Sequence, residues 1–348
     1  RFKRYLYSQI NWKARLIGIK GARGVGKTTM LLQHILENYK DVDQTLYVSL
    51  DDLWFSSFTL MDLVDWAYRH GIMRLYLDEV HRYENWAANL KNIYDNYPDM
   101  SIVYTSSSLL IMDNEPISLT ELLKNHVSHA MRIVREIKVA PLFEAYLEHG
   151  CYPFYRESVE DFASRLREVV SLVIDTDLPS VENVSFETVQ KVKRLLMLIS
   201  ERVPFVPNMS ELWKQLETNN ELGLRMLYAL DKAQILGLLT SKAKNYKYLF
   251  KPDKIFLGNP NLMHVLCSVV DKGNERETFF FCQLSLANDL KYPKNGDFLV
   301  NDKYLFEVGG KRKNFEQIAD VPNSFLAVDD TEVGVGNRIP LWMFGMLY

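Results

Sequence analysis

Along residues 15–110 the apolar positions switch between two periods. RLIGIKG (15–21), TLYVSL (45–50), MRLYLDEV (73–80) and SIVYTSSSLL (101–110) are short apolar runs of strand type. Between them MLLQHILENY (30–39), LMDLVDWAYRHG (60–71) and ENWAANLKNIYDNYP (84–98) space their apolar residues three and four apart, as amphipathic helices do. Strands alternating with helices predict a doubly wound α/β domain with a parallel sheet.

Helical period continues from ISLTELLKNHVSHAMRIVREI (117–137) to DFASRLREVVSLVIDTDLPSV (161–181), punctuated by Pro141, Pro153 and Pro179, and predicts a helical subdomain packed on that sheet. Three short amphipathic stretches follow at 187–203, 208–217 and 221–236. LGLLTSKAKNYKYLF (236–250) alternates about a turn expected at Lys244 and Asn245, and three helices with a hairpin suggest a winged helix. GNERETFFFCQLS (273–285) has the pattern of a buried helix, GDFLV (296–300) and KYLFEV (303–308) that of paired strands, and NFEQIAD (314–320) that of a helix start. The expected boundaries are an N-terminal core at 1–112, its helical subdomain at 113–183, a winged helix at 184–264 and an α+β domain at 265–348.

Composition narrows the class. At 348 residues the chain exceeds one ordinary core, and 47% hydrophobic with 24% charged residues is a globular balance. No apolar run approaches the length of a membrane-spanning helix and no signal peptide is visible, so the expected location is the cytoplasm, without membrane partners. A net charge of −3 exerts no overall pull toward nucleic acid, and any such contact must come from a local patch. Cys151, Cys267 and Cys282 share no metal spacing and are expected as reduced buried thiols. His126 and His129 fall one helical turn apart with no Cys or acid to complete a metal site, so two residues on one helix face is the preferred reading.

The chemistry concentrates between residues 21 and 108. Gly21, Ala22, Arg23, Gly24, Val25, Gly26, Lys27, Thr28 and Thr29 form a Gly-rich loop between a strand and a helix, the context a phosphate-binding loop requires. Its glycines let backbone N–H groups and the helix N-terminus face phosphates, Lys27 suits the β- and γ-phosphates, and Thr28 suits Mg2+. Asp78 and Glu79 close an apolar strand about fifty residues later, where Asp78 suits the outer Mg2+ shell and Glu79 suits polarising the attacking water. Thr105 to Ser108 cap the next strand, and Ser107 is the expected γ-phosphate sensor, although an ordinary Ser-rich turn explains them nearly as well. No Asn-Lys-x-Asp guanine motif occurs, so ATP is the expected nucleotide.

GARGVGKTTM, SLDD, LYLDEVHRYENW, YTSSSLL, PLFEAYLEHGCYPFY and LFEVGGKRKNFEQI together resemble a prokaryotic family of predicted AAA-type ATPases. In that family the ATPase is fused to a C-terminal domain related to PD-(D/E)xK nucleases. Similar proteins carry a further stretch with a Gly-Arg pair after the hydroxyl-capped strand, and nothing like it lies between Met112 and Asp113. The arginine expected to stabilise transition-state charge is therefore unassigned, with Arg132 and Arg135 as candidates beside the plainer reading of a solvated helix face. The resemblance implies a nuclease-like, restriction-endonuclease-type site at Glu277, Asp297, Glu307 and Gln317. Its lysine is displaced: Gly309 occupies the place two residues after Glu307, and Lys311, four residues away, lies about 13 Å along a straight strand. A one-residue bulge at Gly309 and Gly310 would turn Lys311 to the other face, whereas looping out both glycines would restore it to the site.

Two functions stay open. One is an ATP hydrolase coupled to processing of DNA or RNA through the winged helix and C-terminal domain. The other is an ATP-dependent switch whose nuclease-like domain is catalytically inactive and binds a protein partner.

Overall fold

In the computed structural model, the described residues are 7–8, 10–21, 26–39, 43–50, 52–56, 58–80, 83, 86–107, 118–156, 158–179, 185–241, 251–285, 287–318 and 321–347. They fall into two compact units, residues 1–113 with 180–183, and residues 114–179 with 184–348.

The first unit contains a parallel sheet of β1 (Leu16–Gly21), β2 (Thr45–Ser49), β3 (Arg74–Asp78) and β4 (Ser101–Ser107), ordered β1-β4-β3-β2. Its helices are α1 (Lys27–Asn38), α2 (Leu60–Arg69) and α3 (Trp86–Asn96). The runs are almost continuously apolar because both faces are covered. Ile17, Ile19, Tyr76 and Val103 pack with Met30, Leu31 and Ile35 of α1, while Leu75, Leu77 and Ile102 pack with Leu60, Val64, Leu90 and Ile93 of α2 and α3. Residues one apart along a strand thus serve opposite helical layers, as the two-residue period demands. Thr59 and Asp62 form a reciprocal capping box that starts α2.

The second unit comprises α4 (Leu119–Glu136), α5 (Val139–Ala145), α6 (Phe162–Leu172), α7 (Phe186–Ser200), α8 (Met209–Gln215), α9 (Asn220–Lys232), β5 (Leu236–Leu239), β6 (Lys254–Leu257), α10 (Pro260–Leu266), α11 (Lys272–Leu284) and β7 (Leu290–Lys291) to β11 (Arg338–Pro340). Helices 119–172 are not grouped with the four-stranded parallel sheet, contrary to expectation. Leu119, Leu122 and Ala130 of α4 are buried with Phe279, Phe280, Phe306 and Phe344. Phe162, Leu166 and Val170 of α6 are buried with Leu195, Leu227 and Leu236. An amphipathic stripe announces that a helix face is buried, and the partner is settled only by which apolar surface it meets.

Helices α7, α8 and α9 precede an antiparallel pair in which Leu236 to Leu239 face Leu257 to Lys254, and Phe205 adds a bridge to Ile255. The strand partner therefore lies beyond the sequence expected to form it, and the turn expected at Lys244 and Asn245 lies outside the described residues. The last sheet is ordered β11-β10-β9-β8-β7. There β7, β8 (Phe298–Val300) and β9 (Tyr304–Gly309) run antiparallel, whereas β10 (Ser324–Val328) and β11 run parallel to β9 and to each other. The helix expected from Asn314 is a turn instead, closed by Ile318 N–H to Phe315 O at 2.9 Å. Pro322, which lacks an N–H and disfavours helical backbone at Val321, leaves little room for a helix there.

Candidate functional site

Strand order puts the loop-bearing β1 next to β4, and β4 next to the acid-bearing β3. The carboxyl ends of three strands thereby meet at the N-terminus of α1. Gly26 caps that helix with φ 86°, a left-handed conformation that glycine adopts without Cβ strain. Lys27, in its first turn, is only 6% exposed. Ala22, Arg23, Gly24 and Val25 lie outside the described residues.

Asp78 gathers the site. Its Oδ2 accepts from the Thr28 hydroxyl at 2.6 Å and the Tyr47 hydroxyl at 2.8 Å. Its Oδ1 accepts from the Thr105 hydroxyl and from the Glu79 N–H at 3.1 Å. A carboxylate has only acceptor sites, and these partners occupy them from two strands, one helix and the residue that follows β3, fixing the group though Asp78 is just 2% exposed. The Glu79 N–H also donates to Thr105 Oγ1 at 3.0 Å. Glu79 itself has φ 53°, a left-handed backbone uncommon outside glycine, and those acceptors hold it there. The chain thus leaves the strand direction at the residue expected to polarise water.

The structure brings Thr28 and Asp78 together, with a hydroxyl oxygen and a carboxylate at hydrogen-bond distance. That donor set fits Mg2+, a cation that takes few protein oxygens and keeps water and phosphate as its other ligands. Tyr47 and Thr105 were not singled out by the sequence, although Thr105 stands in the hydroxyl run. Ser107 continues β4, paired in register with Gly21, and its side chain is outside the described residues.

In the second unit the acids expected at the nuclease-like site converge around the end of β9. Glu307, 2% exposed, meets Lys313 Nζ at 2.5 Å and accepts from the Gln317 amide at 2.8 Å. Asp297 Oδ2 accepts from the Val308 N–H at 2.7 Å. Glu277 on α11 is paired with Lys254 of β6. Burial raises the Glu277 pKa, Lys254 opposes that rise, and the nearby Asp297 charge adds to it. Burial alone lowers the Lys313 pKa, but its bond to Glu307 and the charges of Asp297 and Glu277 outweigh it, so the value is raised.

The lysine at this cluster is Lys313, which corrects the assignment to Lys311. A turn closed by Lys313 N–H to Gly310 O at 2.9 Å folds the chain back after β9. The Lys313 stem then lies across Gly309, where an added Cβ would sit 2.8 Å from Lys313 Cγ. Glycine at the strand position where the lysine was sought is what lets a lysine from farther along reach Glu307. Lys311 is exposed, and its carbonyl accepts from Arg338 Nη2 at 2.8 Å. The signal that could have indicated Lys313 is the glycine pair followed by a basic run, in which a return turn brings back a later cation.

Among the described residues no three His, Cys, Asp or Glu side chains are grouped to hold a metal ion. The carboxylates of this cluster do not fit one as they stand, being engaged by lysines, an amide and a backbone N–H. Arg132 and Arg135 lie exposed on α4 in the second unit. Cys151, Cys267 and Cys282 are free thiols, and burial pushes Cys151 up to about 12 and Cys267 up to about 11. Among the described residues no helix is long and apolar enough to cross a membrane.

Residues 13–134 match a family model described as an AAA domain. The uncharacterized protein MJ1637 of Methanocaldococcus jannaschii is 26% identical over 371 residues, covering 88% of this chain and 78% of that one. Among solved structures, a replication initiator DnaA bound to AMPPCP and single-stranded DNA aligns at 14% identity over 64% of this chain and 83% of that one, with TM-score 0.26. Drosophila ORC bound to DNA aligns at 11% identity over 70% and 86%, with TM-score 0.22.

Proposed function

We propose that this chain, whose N-terminal region carries an AAA-type P-loop domain, is a Mg2+-dependent ATP hydrolase. The observation that supports this reading best is the network joining Thr28, Asp78, Thr105 and the Glu79 backbone at the carboxyl edge of the sheet. Mg2+, when bound, offsets charge on the β- and γ-phosphate oxygens. Lys27 and the α1 N-terminus bind and orient the phosphates. Thr28 and Asp78 form the cation's place on the protein, and Tyr47 and Thr105 keep Asp78 turned toward it. Glu79, held off the strand direction, orients the attacking water and accepts its proton. Ser107, opposite Gly21 in the sheet register, is the residue we assign to sensing the γ-phosphate.

In the second unit we read α7 to α9 with β5 and β6 as a winged helix, and the last sheet as a restriction-endonuclease-like α+β domain. Support comes from the strand order, with parallel β10 beside the hairpin of β8 and β9, and from the gathering of Glu277, Asp297, Glu307, Gln317 and Lys313. Coupling of ATP hydrolysis to processing of DNA or RNA is the first reading. The second, a nucleotide switch with an inactive nuclease-like domain that engages a protein, is favoured by one observation: Glu277 and Glu307 are already neutralised by lysines. Mg2+- and ATP-dependent cutting of nucleic acid, lost in Asp297→Ala and Glu307→Ala, is the result expected of the first. ATP turnover without cutting of any DNA or RNA substrate is the result expected of the second.

A further inference from the structure

The cation on Glu277 comes from the hairpin of the winged-helix part. Lys254 opens β6, and its ammonium is engaged with Glu277 on α11, with side-chain exposures of 12% and 22%. This is not a chance contact of two long side chains. Phe256, two residues along β6 and fully buried, stacks on Phe281 of α11 with ring centroids 4.5 Å apart and planes 1° from parallel. Gly237, opposite Phe256 in the β5–β6 register, leaves the space that Phe281 fills, since an added Cβ there would sit 2.1 Å from the ring. The hairpin root is therefore packed onto α11, one helical turn from Glu277, and Lys254 has little freedom to leave by side-chain motion alone.

Charge counting shows what this does. Glu277, Asp297 and Glu307 bring three negative charges, and Lys254 and Lys313 return two positive ones. A divalent cation gathers carboxylate oxygens and is repelled by ammonium groups at the same oxygens. Lys313 follows β9 of the last sheet, whereas Lys254 comes from β6 of the separate two-stranded sheet.

We propose that Lys254 is a latch: an ammonium supplied by the winged-helix hairpin that occupies Glu277 and keeps divalent cations out of the Glu277, Asp297 and Glu307 cluster until it is withdrawn. The proposal rests on the nuclease-like reading of that cluster. It turns the lack of fit to a metal into a property of the latched state. Metal occupancy and Lys254 engagement are then mutually exclusive, so that whatever shifts the hairpin also sets the metal affinity of the site.

The test is Mn2+ binding to the full chain without nucleotide, measured by electron paramagnetic resonance for wild type, Lys254→Met, Lys254→Arg and the double variant Lys254→Met with Asp297→Asn. Methionine keeps most of the apolar stem and removes the charge. Removing one unit charge beside a divalent ion in a half-buried site should tighten Mn2+ by about tenfold or more. The added affinity should vanish in the double variant, and Lys254→Arg should bind like wild type. Equal affinity in wild type and Lys254→Met, with Asp297-dependent binding in both, would overturn the latch and leave the nuclease-like reading standing. Arginine behaving like methionine would also overturn it, because packing rather than charge would then be responsible. Absence of Asp297-dependent binding in every variant would overturn the latch and the nuclease-like reading together.

Discussion

Thr105→Val deletes one hydroxyl while keeping a β-branched shape in β4. Thr105 is fully buried, and its oxygen both donates to Asp78 and accepts the Glu79 N–H at 3.0 Å. Valine leaves Asp78 Oδ1 with the Glu79 N–H at 3.1 Å as its remaining partner and removes one of two acceptors holding Glu79 at φ 53°. Losing a hydrogen bond to a charged group costs about 1.5–3 kcal/mol. A strained backbone of this kind persists only where its surroundings over-determine it, so Glu79 should relax toward ordinary strand geometry. If the same energy is lost from the transition state, turnover falls about ten- to hundredfold. Steady-state phosphate release at saturating Mg-ATP is the assay, with urea unfolding in parallel to read the stability loss and fluorescent-nucleotide titration to show that binding persists. Wild-type turnover in a folded, nucleotide-binding Thr105→Val protein would refute the positioning of Glu79 through Thr105.

Two other outcomes separate competing assignments. Lys313→Met should destabilise the second unit by about 2–3 kcal/mol in urea unfolding, because Glu307 is buried and loses its cation while Lys313 is only partly buried. Lys311→Met should stay within about 0.5 kcal/mol of wild type, being an exposed side chain. Equal effects would return the site lysine to doubt. In the first unit, burial lowers the His34 pKa from 6.5 to about 4, with its Nδ1 2.7 Å from the Tyr76 hydroxyl. The folded state thus disfavours the protonated ring, so the His34 contribution is complete above pH 6.5 and is lost as pH falls toward 4. Unfolding midpoints measured across that window should fall less steeply in His34→Gln than in wild type, and parallel slopes would exclude this role.

The parts legible in sequence were those written locally. Lys27 and Thr28 follow a Gly-rich loop in a strand-to-helix context, and Asp78 ends an apolar run, so no long-range contact was needed to place them on the sheet edge. Thr105 does not stand out within its hydroxyl run because its role depends on β4 lying beside β3, with Leu77 opposite Tyr104. Spacing favours Lys311 over Lys313 only along a straight strand, whereas the turn after Gly310 reverses the chain. Lys254 could not be linked to Glu277 at all, since that contact depends on Phe256 stacking on Phe281. The same limit applies to α4 and α6, whose apolar stripes were visible and whose partners were not.

The measurement that tests the central claim most directly is single-turnover ATP hydrolysis by Glu79→Gln beside wild type, with ATP binding measured on the same samples. Glutamine keeps the size of the side chain and cannot accept the proton of the attacking water. The predicted result is retained Mg-ATP binding with hydrolysis reduced about 10²- to 10⁴-fold, the range for loss of a positioned general base. Hydrolysis at the wild-type rate in a Glu79→Gln protein that still binds ATP would contradict the account.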